Sequence, residues 1–142
     1  MSVRSDLRGK TKLAVLESAK KLSEHTLRKC TNNNIFPLRF RNSIINRLTG
    51  EAMDIVINIS KAYYTPTKTL DDYKKRREYQ IEARGHLRAL LALIDLAYKM
   101  FGNLTGKMVD YWTGLCEQTE KELLDWMIQD NINYSKLKEK NK

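Results

Sequence analysis

The chain reads as all-α, an antiparallel up-down-up-down four-helix bundle. Three observations point there. Its 142 residues include only two Pro and six Gly, and long alternating β-branched runs are absent, so little in it favours strands. Four long stretches instead repeat apolar residues at three- and four-residue spacing, the period of a helix with one buried face. The breakers between them leave connections of roughly 4 to 8 residues, a length that favours antiparallel neighbours. One domain with a proper core fits this length, and two ordinary domains do not.

Residues 1–11 read as a loose basic leader, residues 12–131 as the bundle and residues 132–142 as a basic tail that frays. The first helix is predicted from about Lys12 to Cys30, with Leu13, Leu16, Ala19 or Lys20, Leu27 and Cys30 as its inner line. Thr31 to Asn34 ends it, because clustered Asn competes for backbone hydrogen bonds. Pro37 then disfavours helical geometry at Phe36.

The second helix is predicted from about Leu38 to Tyr64. Ile44, Leu48, Ala52, Ile55 and Ile59 form its inner line. Almost opposite lie Met53, Ile57, Ser60 and Tyr64. A monomeric bundle has no use for a second apolar stripe at that angle, so this one predicts a subunit interface.

Thr65 to Thr69 is the next break, and Thr69 is placed to cap a third helix from Leu70 to Phe101. That helix spans about 48 Å at roughly 1.5 Å per residue. Tyr73, Gln80, Ala83, Leu87, Leu91, Ile94, Tyr98 and Phe101 share one face, and Tyr79, His86, Leu90, Leu93 and Ala97 run beside it. The combined arc of roughly 160° exceeds the ~100° that a simple surface helix needs. Tyr79, His86 and Leu93 therefore join Met53, Ile57 and Tyr64 as expected oligomer contacts. Gly102 and Asn103 stop the helix. Thr105 caps a fourth, from about Gly106 to Asn131, expected to bury Met108, Trp112, Leu115, Leu123 and Trp126.

The net charge is +9 and the pI near 9.6, which predicts an acidic partner, most commonly nucleic acid. The charge is uneven: residues 102–130 carry six acids against two bases, whereas every other stretch is net basic. Lys74, Lys75, Arg77, Arg84 and Arg88 line one flank of the third helix, at spacings that let a helix track phosphates, and Arg39, Arg41 and Arg47 could extend the patch. No base-reading motif accompanies them, so backbone and shape are the expected targets. The acidic fourth helix, through Glu117, Glu120 and Glu122, is expected to meet a basic protein partner.

Chemistry has little to work with. His25 and His86 are the only histidines, and Glu82 and His86 lie four apart rather than at the Glu-x-x-His spacing of di-iron bundles. No glycine-rich phosphate loop follows a strand. Cys30 and Cys116 lack metal-ligand spacing and read as buried thiols. The expectation is a non-enzyme without metal or cofactor. The leader lacks the apolar segment of a signal peptide, and the run Ala89 to Ile94 is too short to span a bilayer. A cytoplasmic protein without membrane partners is expected.

The second helix, Leu48 to Tyr63 with Ala52, Ile55, Asn58 and Ile59, resembles that of the small four-helix-bundle proteins found in ribosomal RNA intervening sequences. Glu82 to Leu87 followed by Leu90 to Tyr98 is similar to their third helix. Within that superfamily, the basic stretch Asp72 to Tyr79, the Phe36-Pro37 turn and Trp126 lean towards the accessory variability determinants of diversity-generating retroelements. That resemblance, over roughly residues 12 to 130, implies a homopentamer that binds a reverse transcriptase and its template RNA during mutagenic complementary-DNA synthesis. An intervening-sequence-type bundle of unassigned function, or a generic nucleic-acid-binding scaffold, is the alternative.

Overall fold

The helix boundaries follow from local chemistry. In the computed structural model, residues 5–142 are described, with side chains from residue 11 onward. The described residues form four long helices and no strand: α1 (Ser5–Cys30), α2 (Asn46–Tyr64), α3 (Leu70–Met100) and α4 (Gly106–Lys140). Part of the expected leader is thus helical. Residues 1–4 lie outside the described part.

α1 ends in an Asx turn, with the Asn34 amide donating to Asn32 Oδ1 at 3.0 Å. The amides of Ile35 and Phe36 both donate to the Asn32 carbonyl, which turns these two residues inward. Helical structure resumes after Pro37, as expected, but not as a regular α-helix. A 3-10 turn (Leu38–Phe40) and a π-turn (Arg41–Ile45) come first. The wider π-turn lets adjacent Ile44 and Ile45 both reach the interior.

α3 opens on a capping box: the Asp72 amide donates to Thr69 Oγ1 at 3.1 Å, and the Thr69 amide donates back to Asp72 Oδ2 at 3.0 Å. Thr105 likewise accepts from the Met108 amide. α4 continues to Lys140, through most of the segment expected to fray. Half-buried Tyr134 and Leu137 extend its inner face there, and Tyr134 meets Tyr73 edge-on at 6.3 Å.

All five residues of the expected α2 inner line are buried. In α1 the register differs from expectation: Val15, Leu16, Ala19, Leu22 and Thr26 face inward, and Leu13 and Leu27 are exposed. The buried residues of α3 are Arg76, Gln80, Ala83, Leu87, Leu90, Ile94 and Ala97, and those of α4 are Trp112, Cys116, Thr119, Leu123, Trp126 and Asp130. Each series steps by alternating three and four residues, a continuous inward stripe.

Each helix packs against its two sequence neighbours, α4 returning to α1, around one core. Along the α1–α4 and α3–α4 seams, side-chain contacts run with opposed residue numbers. Ser18 reaches Glu122 while Thr26 reaches Trp112; Arg88 reaches Glu120 while Arg76 reaches Asp130. No helix among the described residues is long and apolar enough to cross a membrane.

Candidate nucleic-acid interface

The basic residues singled out in the sequence do not form one patch. Arg39 lies beside Met100 and Phe101, and Arg41 and Arg47 are exposed in the same part of the chain. Lys74 and Lys75 are exposed in the first turns of α3. From Lys74 to Met100 a helix at about 1.5 Å per residue covers roughly 39 Å. The two groups therefore occupy opposite ends of the molecule.

The middle of the stripe is partly neutralised. Glu120, with a side chain only 14 % exposed, accepts from Arg88 Nη2 at 2.8 Å and lies 3.7 Å from Arg84 Nε. Arg77 donates through Nη2 to the Met127 carbonyl at 3.0 Å and to Asn131. These three arginines knit α3 to α4 before they offer charge to a ligand. Two of the three expected partner-binding acids are engaged in the same way. Glu120 serves Arg84 and Arg88, and Glu122 accepts from Ser18 and Gln118. Glu117 is exposed, along with Asp110 and Asp125.

The expected interface residues also divide. Met53 (47 % exposed), Ile57 (43 %) and Tyr64 (76 %) present side chains outward. Tyr79 and Leu93 are half-buried against the core, with Lys61 Nζ above the Tyr79 ring at 5.7 Å. His86 Nδ1 lies 2.6 Å from Glu51 Oε2, joining α3 to α2 within one chain. The wide apolar arc of α3 is thus largely used by intrachain neighbours. A helix meeting partners on two sides needs an arc wider than one surface stripe.

What the fold does assemble is a cationic end. The start of α3 and the last turns of α4 come together at Tyr73, with Lys74 and Arg77 on one side of it and Lys136 and Lys140 on the other. Tyr73 lines a cavity of about 220 Å³ with Lys74, Arg77 and Tyr134, and a second of about 230 Å³ with Lys136 and Lys140.

Beneath this surface sits a buried ion pair that the sequence reading did not single out. Arg76 donates to Asp130 through Nε at 2.8 Å and Nη2 at 2.7 Å, and Gln80 Nε2 adds a third donor at 3.0 Å. The two charged side chains are 7 % and 6 % exposed. The Arg76 guanidinium also lies over the Trp126 ring at 4.7 Å. Burial pushes the Asp130 carboxyl pKa upward, while Arg76 and Gln80 oppose that shift. Lys12 has its pKa lowered by burial and then by the charge of Arg76. The signal was present in the spacing: Arg76 falls four residues before Gln80 on the inner stripe, and Asp130 four after Trp126. Charged residues on an apolar line imply a buried pair.

Among the described residues, no group of three or more His, Cys, Asp or Glu could hold a metal ion. Both thiols are buried, and burial pushes each pKa up to about 12. His25 packs edge-on against Tyr111 and Trp112, and burial lowers its pKa. The fold and its charged end define an all-α chain of four helices with a polybasic terminus. No protein-family model, no curated protein and no solved structure matches the chain.

Proposed function

We propose that this protein is a non-catalytic nucleic-acid-binding accessory protein that supports a retroelement reverse transcriptase and its template RNA in the cytoplasm. In this reading the chain is an antiparallel up-down-up-down bundle, and copies of it form a homopentamer. The opposed residue numbering across the α1–α4 and α3–α4 seams supports the topology. The outward Met53, Ile57 and Tyr64 line supports self-association.

The observation that carries the nucleic-acid reading is the cationic end. Two basic stretches, 74–77 and 136–142, lie over 50 residues apart in sequence, yet both line cavities bordered by Tyr73. An RNA backbone binds such a surface by releasing counterions. The exposed acids Asp110, Glu117 and Asp125 lie on the earlier part of α4 and offer a basic polymerase a separate face.

The test is a salt titration. Log affinity for RNA should fall with log salt at about −0.7 to −0.9 per phosphate contact. Lys74→Glu, Lys75→Glu and Lys140→Glu together should flatten that slope, and unchanged binding by this variant would refute the reading. Met53→Glu with Ile57→Glu should leave a folded but smaller species by light scattering; a wild-type monomer at micromolar concentration would remove the oligomer.

A further inference from the structure

Tyr73 is the shared wall of the two cavities at the cationic end. On one side stand Lys74, Arg77 and Tyr134; on the other stand Lys136 and Lys140. Each cavity, at about 220 and 230 Å³, falls below the ~300–1,000 Å³ that houses a drug-sized ligand. Each is suited to one small planar unit rather than a stacked pair.

We propose that Tyr73 stands between consecutive nucleotides of a single-stranded nucleic acid, one in each cavity. Lys74 and Arg77 hold the phosphate on one side, and Lys136 and Lys140 hold it on the other. This rests on the nucleic-acid reading above and adds the state of the strand. An aromatic ring stacks any base, because every base has a π-face. Tyr73 and Tyr134 meet at 82°, edge to face, so they do not occupy each other by parallel stacking.

Arg77 is the least free of the cations lining these cavities. Its Nη2 is committed to Met127 and Asn131, whereas its Nε is buried without a hydrogen-bond partner. A buried donor of this kind is costly, and because Nε has almost no accessible surface a phosphate oxygen reaches it only if the Arg77 side chain shifts. Asp130 also lines that cavity, but its carboxylate is held by Arg76 and Gln80. With Lys74 and Arg77 counted, the surroundings remain net positive. A duplex must unstack a base step, which costs free energy, before a side chain can stand between two of its bases, whereas a single strand pays little of that cost.

Fluorescence anisotropy with labelled oligouridylate, oligothymidylate and a duplex of equal length, each roughly 12 units, tests this at one salt concentration. Both single strands should bind about tenfold or more tighter than the duplex. Tyr73→Ala should lose about tenfold for single strands, within the range of one stacked base, and leave duplex affinity unchanged. Tyr73→Phe should retain wild-type affinity.

A thermal melt of each variant separates binding from folding. If Tyr73→Ala unfolds, the exposed pair Lys74→Ala with Lys136→Ala replaces it, with an expected fall in salt slope of about 0.7 per lysine on single strands. Equal affinity for duplex and single strand would overturn the proposal, as would a folded Tyr73→Ala that binds like wild type. Either result leaves the nucleic-acid reading standing. Wild-type protein that binds none of the three would overturn both.

Discussion

The two ends of the molecule are closed by opposite chemistry. At one end Phe36, Phe40, Phe101 and Trp112 meet edge-on, with centroids 5.0 to 6.3 Å apart. This end holds by displaced water and shape. At the other, Arg76, Asp130 and Gln80 occupy the same inward stripes, so a polar network replaces hydrocarbon between α3 and α4. The apolar end asks only for volume. The polar end asks for geometry as well, since two buried charges are tolerated only when each satisfies the other. It is also the end where cations of two helices, Lys74 and Arg77 with Lys136 and Lys140, gather around Tyr73, and the buried pair joins those helices just beneath.

The largest effects should come from cutting each end at its centre, and the manner of rescue should tell the ends apart. Asp130→Ala strands a buried guanidinium, an expected loss of about 3–5 kcal/mol. Replacing both partners, Arg76→Met with Asp130→Leu, should recover most of that loss. Phe36→Ala should cost a comparable ~3–5 kcal/mol through the cavity it leaves, and only added volume should restore it. Urea denaturation reads all three. A double variant no more stable than Asp130→Ala would show that the network, not the stranded charge, sets the cost.

A smaller effect lies at the inner edge of the aromatic end. Trp112 Nε1 donates to Thr26 Oγ1 at 2.9 Å, and that hydroxyl donates in turn to the Leu22 carbonyl at 2.9 Å. Thr26→Val keeps the shape and removes the acceptor, so a loss of about 1–3 kcal/mol is expected from the orphaned indole. A change within error would mean that the ring relaxes to another acceptor.

Smaller still is the cap that starts α3 at the polar end. Amides of Thr69 and Lys68 hold the Asp72 carboxyl below its ordinary value of 3.8. Because the folded value lies below the unfolded one, this group adds stability above pH 3.8 and loses it as pH falls further. Asp72→Ala should lower the Tm at neutral pH and converge with wild type in acid. Parallel curves throughout would separate the cap from the carboxyl's titration.

The thiols should move stability least, and both lie toward the aromatic end, Cys30 just before the turn to Phe36 and Cys116 one helical turn from Trp112. Cys30 and Cys116 are buried, with pKa values pushed up to about 12. At pH 8 neither should react with iodoacetamide faster than the chain unfolds, and rapid labelling of either in the native state would contradict its burial.

Period, caps and breakers determined the all-helical fold, because these act within a few residues. Thr69, Thr105 and the α2 line from Ile44 to Ile59 were all legible for that reason. The register of α1 was not. Leu13 and Leu27 are as apolar as Val15 and Leu22, and only the packing partners chose among neighbouring faces. Nor could spacing along α3 reveal that Glu120 would engage Arg84 and Arg88, or that Glu51 would meet His86. Those pairs span 32 to 36 residues. Charge pairing across such separations depends on which helix faces which, a property of the folded chain. The cationic end has the same origin: its two halves stand at opposite ends of a helical pair in sequence, and tertiary packing alone brings Lys136 and Lys140 to Tyr73.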